Sequence, residues 1–247
     1  MAYLSRALLL SAVLLTSCGG STKSDKLSVD EVDALIGAPM VPVQTALTAM
    51  FIMPFLGSFD VECPAITELE GGGYSAEGGC TDEDGQEWSG SMLWEGADIT
   101  WTAFEMPGMS IDGTQRIVMN DLTSDLNVSF SDEVSSHTAT YTNYTVAGFM
   151  EFYTAVFSEE PYSLDFSGQL SVDDLGDFET TGSVQDDLTC DMEPTSGGFT
   201  LDGEFTFELI FDGGTNCDGC MSWTADDQKG TKCYEDGDTG SEGDTGR

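Results

Sequence analysis

From Tyr162 to Val172, apolar residues or glycine occupy every second position: Tyr162, Leu164, Phe166, Gly168, Leu170 and Val172. Ser163, Asp165, Ser167, Gln169 and Ser171 fill the places between. Phe199, Leu201, Gly203, Phe205, Phe207, Leu209 and Phe211 repeat the pattern against Thr200, Asp202, Glu204, Thr206 and Glu208, which predicts one continuous strand there. Successive side chains of a strand point to opposite faces, so strict alternation means one buried face and one wet face, the mark of antiparallel sheet. Phe178 to Cys190 alternates more weakly, and Ile99–Met106, Ile111–Met119, Leu126–Phe130 and Thr138–Val146 read as further strands. Turn signals separate them at Asp84-Gly85, Gly96-Ala97-Asp98, Pro107-Gly108, Asp173–Asp177, Pro194–Gly198 and Asp212-Gly213-Gly214. The expectation is a mainly β chain of about nine to twelve strands, an antiparallel meander curled into a barrel-like or two-layer sheet.

Charge constrains the surface of such a sheet. The chain has a formal net charge of −38, and between Leu27 and Gln228 its only basic residue is Arg116. Most carboxylates therefore lack an ion-pair partner and must face water, bind divalent cations or take up protons. Nucleic acid is excluded as a partner, because nothing here neutralises phosphates.

The period is helical before Asp60. Ser28 followed by Glu31 is a capping box, and Val29, Val32, Leu35 and Ile36 share a face, with Pro39 expected to end or kink the helix. A second helical piece is predicted from Pro42 to Met53, stopped by Pro54. No charged residue occurs from Ala34 to Phe59, which suggests a membrane span, but three prolines, Gln44, Thr45 and Thr48 favour buried helices covering the sheet. A spanning β-barrel is also disfavoured, since the strands are short or interrupted by polar residues and the chain ends in an acidic tail.

The first residues form an export signal: Arg6, an apolar run from Ala7 to Leu15 broken only by Ser11, then small residues. The run is too short to cross a bilayer, which takes roughly 20 apolar residues. Leu15-Thr16-Ser17-Cys18 resembles the lipobox of bacterial lipoprotein signal peptides. The resemblance covers only these residues. It implies lipidation of Cys18 on sulfur (a palmitate-type acyl group), cleavage before it, and a stable membrane anchor through two or more acyl chains. Gly19 in place of Asp after the cysteine implies the outer membrane of a Gram-negative bacterium. The resulting organisation is a signal peptide over 1–17, a flexible tether over 18–27, a short helical segment over 28–57 and a disulfide-bonded β domain over 58–234. A disordered acidic tail follows over 235–247, with Gly-Asp-Thr-Gly occurring twice. The ten-residue tether averages about 17 Å, which keeps the domain near the membrane.

With Cys18 taken by lipid, Cys63, Cys80, Cys190, Cys217, Cys220 and Cys233 remain. An even number in an exported protein reads as disulfides, Cys63 with Cys80 being the preferred pair since the other four lie close together far away. Cys217-Asp218-Gly219-Cys220 has redox and zinc-ribbon spacing, and a zinc site with Cys190 and Cys233 is an arithmetical possibility. Export favours disulfides over both.

The candidate sites are few. Asp82, Asp84 and Glu87 surround Gly85 and form a weak calcium candidate, but the spacing fails the EF-hand pattern and a hairpin turn is the preferred reading. His137 is the one histidine, which excludes a multi-histidine zinc site and routes any Ser-His-Asp triad through it. Asp-Thr-Gly at 238–240 and 244–246 matches the aspartic-protease tripeptide without its apolar flanks. Arg116 either holds a carboxylate or anionic group or simply occupies an exposed strand position. Trp88, Trp94, Trp101 and Trp223 with Tyr74, Tyr141, Tyr144, Tyr153 and Tyr162 either line a pocket or fill the core, the core being the usual fate. No cofactor motif is present. The expectation is a non-enzymatic structural or interaction module of the cell envelope, with an acidic surface open to divalent cations. The alternative is a carrier of an apolar ligand in a curled sheet covered by the helical segment.

Overall fold

The Ser28 hydroxyl accepts from the Glu31 N–H while the Glu31 carboxylate accepts from the Ser28 N–H, so the capping box forms and starts a long helix. The computed structural model describes residues 26–59, 61–131, 136–158, 160–187, 189–190, 194–215 and 217–233. The lipobox with Cys18, most of the tether and the acidic tail lie outside the described residues.

The helical segment is longer and less broken than its prolines imply. One rod, α1 (Val29–Gly57), runs for 29 residues. At Ala38–Met40 it tightens into a 3₁₀ turn, and at Thr48–Ile52 it widens into a π stretch, where the Met53 N–H reaches back to Thr48 O. Pro39 and Pro54 therefore neither end nor stop it. Each proline deletes one donor, and opposite Pro42 the tighter winding lets the Val41 N–H serve the Ala38 carbonyl instead. Val32, Leu35, Val43, Ala46, Ala49 and Met53 are buried. By length and composition this helix could cross a membrane, yet most of its apolar surface lies inside the protein.

The rest is one antiparallel meander of fourteen strands among the described residues: β1 (Ala65–Glu68), β2 (Tyr74–Glu77), β3 (Cys80–Thr81), β4 (Glu87–Glu95), β5 (Asp98–Met106), β6 (Met109–Val118), β7 (Asp121–Ser131), β8 (Ser136–Ala147), β9 (Tyr162–Val172), β10 (Gly176–Asp186), β11 (Ser196–Asp202), β12 (Thr206–Phe211), β13 (Cys220–Ala225) and β14 (Gln228–Cys233). Each strand pairs with the next, except that β2 pairs directly with β4 and β3 pairs with β4 beside it. The sheet does not close: β1 and β14 are its two ends. Strands from across the sheet nevertheless touch the same helix, since β1, β2, β4, β7, β9 and β14 all meet α1. The sheet is therefore curled around α1, with the helix along its open side.

Bulges supply the curl. In β5 the register slips between Trp101 and Phe104, and in β8 between Thr142 and Thr145. At each slip a residue other than glycine adopts positive φ, Ala103 at 41° and Asn143 at 48°. Each exposed N–H is taken up by a cross-strand aspartate, Ala103 N–H by Asp112 Oδ1 at 2.9 Å and Asn143 N–H by Asp125 Oδ1 at 2.8 Å. Glycine faces both kinks. A Cβ on Gly90 would run into the Ala103 carbonyl, and one on Gly168 would lie 2.6 Å from Tyr144 Cα. The extra residue sends two aromatics three positions apart to the same side, so Trp101 with Phe104 and Tyr141 with Tyr144 all face inward.

The structure departs from the sequence reading of this region at three points. The stretch Phe199–Phe211 is the hairpin β11–β12, with Leu201 opposite Phe207 and the chain turning over residues 203–205. An odd-length turn preserves parity, so odd-numbered residues stay on the buried face through the reversal and the period of two continues across it. The segment after Gly148 also forms an unforeseen helix, α2 (Phe149–Ser158), which buries Phe149, Phe152 and Ala155. The nine to twelve expected strands become fourteen, partly because Phe199–Phe211 holds two strands and partly because β1, with four residues, and β3, with two, are too short to show a period.

Candidate functional site

The most concentrated polar chemistry in the described residues lies between α1 and the inner face of the sheet. Because Pro42 has no N–H, the Ala38 carbonyl lacks the donor that a regular helix would provide four residues on. The Val41 N–H and the Tyr141 hydroxyl, at 2.7 Å, donate to it instead. The Tyr144 hydroxyl donates to Pro39 O at 3.2 Å. One turn further on, Gln115 Nε2 donates to Pro42 O at 2.8 Å and to Ser124 Oγ at 3.1 Å. Gln115 Oε1 in turn accepts from Thr45 Oγ1 and Trp101 Nε1, both at 3.2 Å. All of these side chains are at least 98 % buried. The two bulges place Trp101, Tyr141 and Tyr144 so that their polar tips meet the proline-interrupted helix. Burial pushes the Tyr141 phenol well above its ordinary range, with the Tyr144 phenol adding to the shift. Burial likewise raises Tyr144, partly opposed by the Thr180 hydroxyl. These groups hold their protons at any physiological pH and act as donors. The network ties the helix to the sheet and offers no acid–base pair.

A second tie joins α1 to the last strand. Lys232 Nζ lies 2.8 Å from Asp33 Oδ2, and Gln228 Oε1 accepts from the Leu27 N–H at 3.1 Å. Asp33 is 8 % exposed and its Oδ1 has no hydrogen-bond partner, so the lysine is its main compensation.

The predicted site residues fall elsewhere. All six remaining cysteines are in disulfides: Cys63–Cys80 as preferred from sequence, Cys190–Cys217 and Cys220–Cys233. Cys217 and Cys220 thus take different partners, and neither a redox dithiol nor a zinc site is formed from them. Asp82 accepts from the N–H groups of Asp84 and Gln86 at 3.0 and 2.8 Å and from Trp88 Nε1 at 3.0 Å. The Trp88 bond is the chief reason its carboxyl is held below the usual range, followed by the Gln86 N–H. Its oxygens already organise the β3–β4 turn, and no cluster of three potential metal-ligating side chains is found among the described residues, including Asp84 and Glu87. His137 stands half-buried opposite Phe130 near the start of β8. Arg116 occupies the exposed strand position, paired across β5–β6 with Asp98 at 2.9 Å. An open depression of about 340 Å³ lies over Gly182, Gly197 and Gly198, where missing side chains lower the surface between Thr200, Glu208 and Ile210.

Gln115, Ser124 and Asp33 are not candidate residues in the sequence, and Thr45 stands there only as a polar interruption of the apolar helix. Gln115 carried a readable signal: it shares the parity of Ile111 and Ile117 and so had to face inward with them. Trp101-Thr102-Ala103-Phe104 and Tyr141-Thr142-Asn143-Tyr144 also break the period of two in the same way. The Asp33–Lys232 pair had no such signal, its members lying 199 positions apart. Comparison with protein-family models, with curated proteins and with solved structures finds no match for this chain.

Proposed function

We propose that this chain is a lipid-anchored lipoprotein of the bacterial cell envelope whose folded domain is a non-enzymatic structural or interaction module. The observation that carries the reading is the fixed, filled interior. Leu35, Ala46, Ala49 and Met53 have no exposed surface, and the helix bearing them is hydrogen-bonded to the sheet through Tyr141, Tyr144 and Gln115. A carrier of apolar ligands would need that space, and a ligand could enter only by displacing α1 and breaking those bonds. Three disulfides support an oxidising, extracytoplasmic setting, in keeping with the export signal and with an anchor at Cys18. The outer membrane is the proposed location, on the strength of Gly19.

Mass spectrometry of the intact protein purified from membranes tests the reading. The expected species begins at an acylated Cys18, carries three disulfides and retains no ligand. An unmodified Cys18 would overturn the anchor, and a co-purifying lipid in stoichiometric amount would shift the reading to the carrier.

A further inference from the structure

The helix that closes the sheet keeps one stripe uncovered. Gly37, Met40, Gln44, Leu47, Thr48 and Phe51 are half-buried in succession at helical spacing, and Phe55 is 36 % exposed. The stripe from Gly37 to Phe55 is about 27 Å long at 1.5 Å per residue. Phe59, 63 % exposed, and Phe157 of α2, 46 % exposed, widen its far end. Their rings pack as a cluster, with Phe51 4.9 Å from Phe157 and Phe55 4.9 Å from Phe59. This is a partly exposed strip, apolar apart from Gln44 and Thr48, on a chain of net charge −38, and no ionisable side chain lies in the sequence between Ala34 and Phe59.

What covers it is indicated by three features. The tether joins the start of the same helix, so an anchor at Cys18 holds that end of the helix about 17 Å from the bilayer on average. Charge is distributed to match. Four of the seven basic residues, Lys23, Lys26, Lys229 and Lys232, fall in the tether and on β14 beside the helix start. There they offset most of the charge of Asp25, Asp30, Glu31, Asp33, Asp226 and Asp227, four cations against six carboxylates, whereas the surface away from this side has only Arg116 against its carboxylates. Finally, phenylalanines with leucine and methionine, and no charge, are the side chains that enter the boundary between headgroups and acyl chains.

We propose that this face lies on the lipid bilayer, with α1 parallel to the membrane plane. The helix start and its tether, where most of the chain's cations gather, sit at one end and Phe55, Phe59 and Phe157 dip into the interface at the other. The acidic outer face of the sheet is then turned away from the headgroups. This rests on the lipid-anchored reading above and assigns the anchored domain an orientation.

The test uses the full acylated protein in vesicles of phosphatidylcholine brominated on its acyl chains. Phe55→Trp and Phe59→Trp probe the stripe. Ile210→Trp and Leu93→Trp probe exposed apolar positions on the strands, at 53 % and 40 % exposure. The expected result is that the emission added by Phe55→Trp or Phe59→Trp falls by more than half relative to unbrominated vesicles, while that added by Ile210→Trp or Leu93→Trp does not. Circular dichroism of each variant checks its fold, and Phe59→Trp, beyond the helix end, serves if Phe55→Trp misfolds. Equal quenching at all four positions, or none at the stripe, overturns the proposal, the latter leaving the stripe to a protein partner or to water. Mass spectrometry of the same preparation separates the two readings. Acylated protein with an unquenched stripe sinks the orientation alone, whereas unacylated protein sinks the anchor and the orientation with it.

Discussion

The Tyr141 hydroxyl donates to the carbonyl oxygen of Ala38 across 2.7 Å, joining β8 to the helix that β8 encloses. The acceptor is short of a donor because of Pro42, and the donor faces it because Tyr141 shares the inward parity of Ala139 on β8. A proline in one element and a tyrosine in another, about a hundred residues away, are two halves of one contact.

Tyr141→Phe keeps the ring and removes this bond. The Val41 N–H still serves Ala38 O, so the expected loss is moderate, about 1–2 kcal/mol in urea unfolding. Tyr144→Phe should cost less, its bond being longer at 3.2 Å. A neutral Tyr141→Phe would mean that the hydroxyl contributes nothing to holding α1.

Alkaline pH should unfold the protein through the same residues. Both phenols are raised above the ordinary value of 10.0 by burial, so the folded state keeps protons that the unfolded state gives up. Their contribution is complete below pH 10 and is lost as pH climbs from there toward the folded values. The loss is up to about 1.4 kcal/mol per pH unit for each phenol. Phenolate absorbance from these two tyrosines should rise together with loss of the β-sheet circular dichroism. Full phenolate titration near pH 10 with the fold intact would contradict this.

Lys232→Ala strands the Asp33 carboxylate, whose Oδ1 is already without a partner. The expected destabilisation is about 1–3 kcal/mol, tempered by the partial exposure of the lysine. Asp33→Asn should cost less, and pairing Asp33→Leu with Lys232→Met should recover most of the loss. The readout is a double-mutant cycle by thermal or urea denaturation.

Asp82→Ala should loosen the β3–β4 turn, seen as faster amide exchange at Asp84 and Gln86, whereas Glu83→Ala should not. The Asp82 carboxyl is held below its usual range, so its contribution is present at neutral pH and is lost as pH falls through the lowered folded value. Calcium should leave the exchange of these amides unchanged. Strong protection by millimolar calcium would restore the cation-site reading.

Salt should stabilise the whole domain. Raising ionic strength from about 10 to 150 mM shortens the Debye length from about 30 to 8 Å and screens repulsion among carboxylates. The melting temperature is expected to rise across this range. A melt that ignores salt would mean that the carboxylates do not repel one another appreciably.

Much of the architecture was legible in the chain because it is local. Alternation along Tyr162–Val172 predicted β9 to the residue, and Ser28 with Glu31 marked the helix start. Where a local rule is blind, the reading failed. Parity hides the turn between Leu201 and Phe207, and a proline reads as a helix end although at Pro42 the fold re-satisfies the carbonyl left open.

By itself the sequence determined the meander, the acidic outer face, the capped helix and the inward parity of Gln115, since each depends on a period or a neighbouring residue. Only the tertiary structure decided that α1 is one rod, that Cys217 and Cys220 part company, and that Asp33 meets Lys232. Those contacts join residues distant in sequence, and their free energy exists only once the sheet has curled far enough to bring both partners to the same helix.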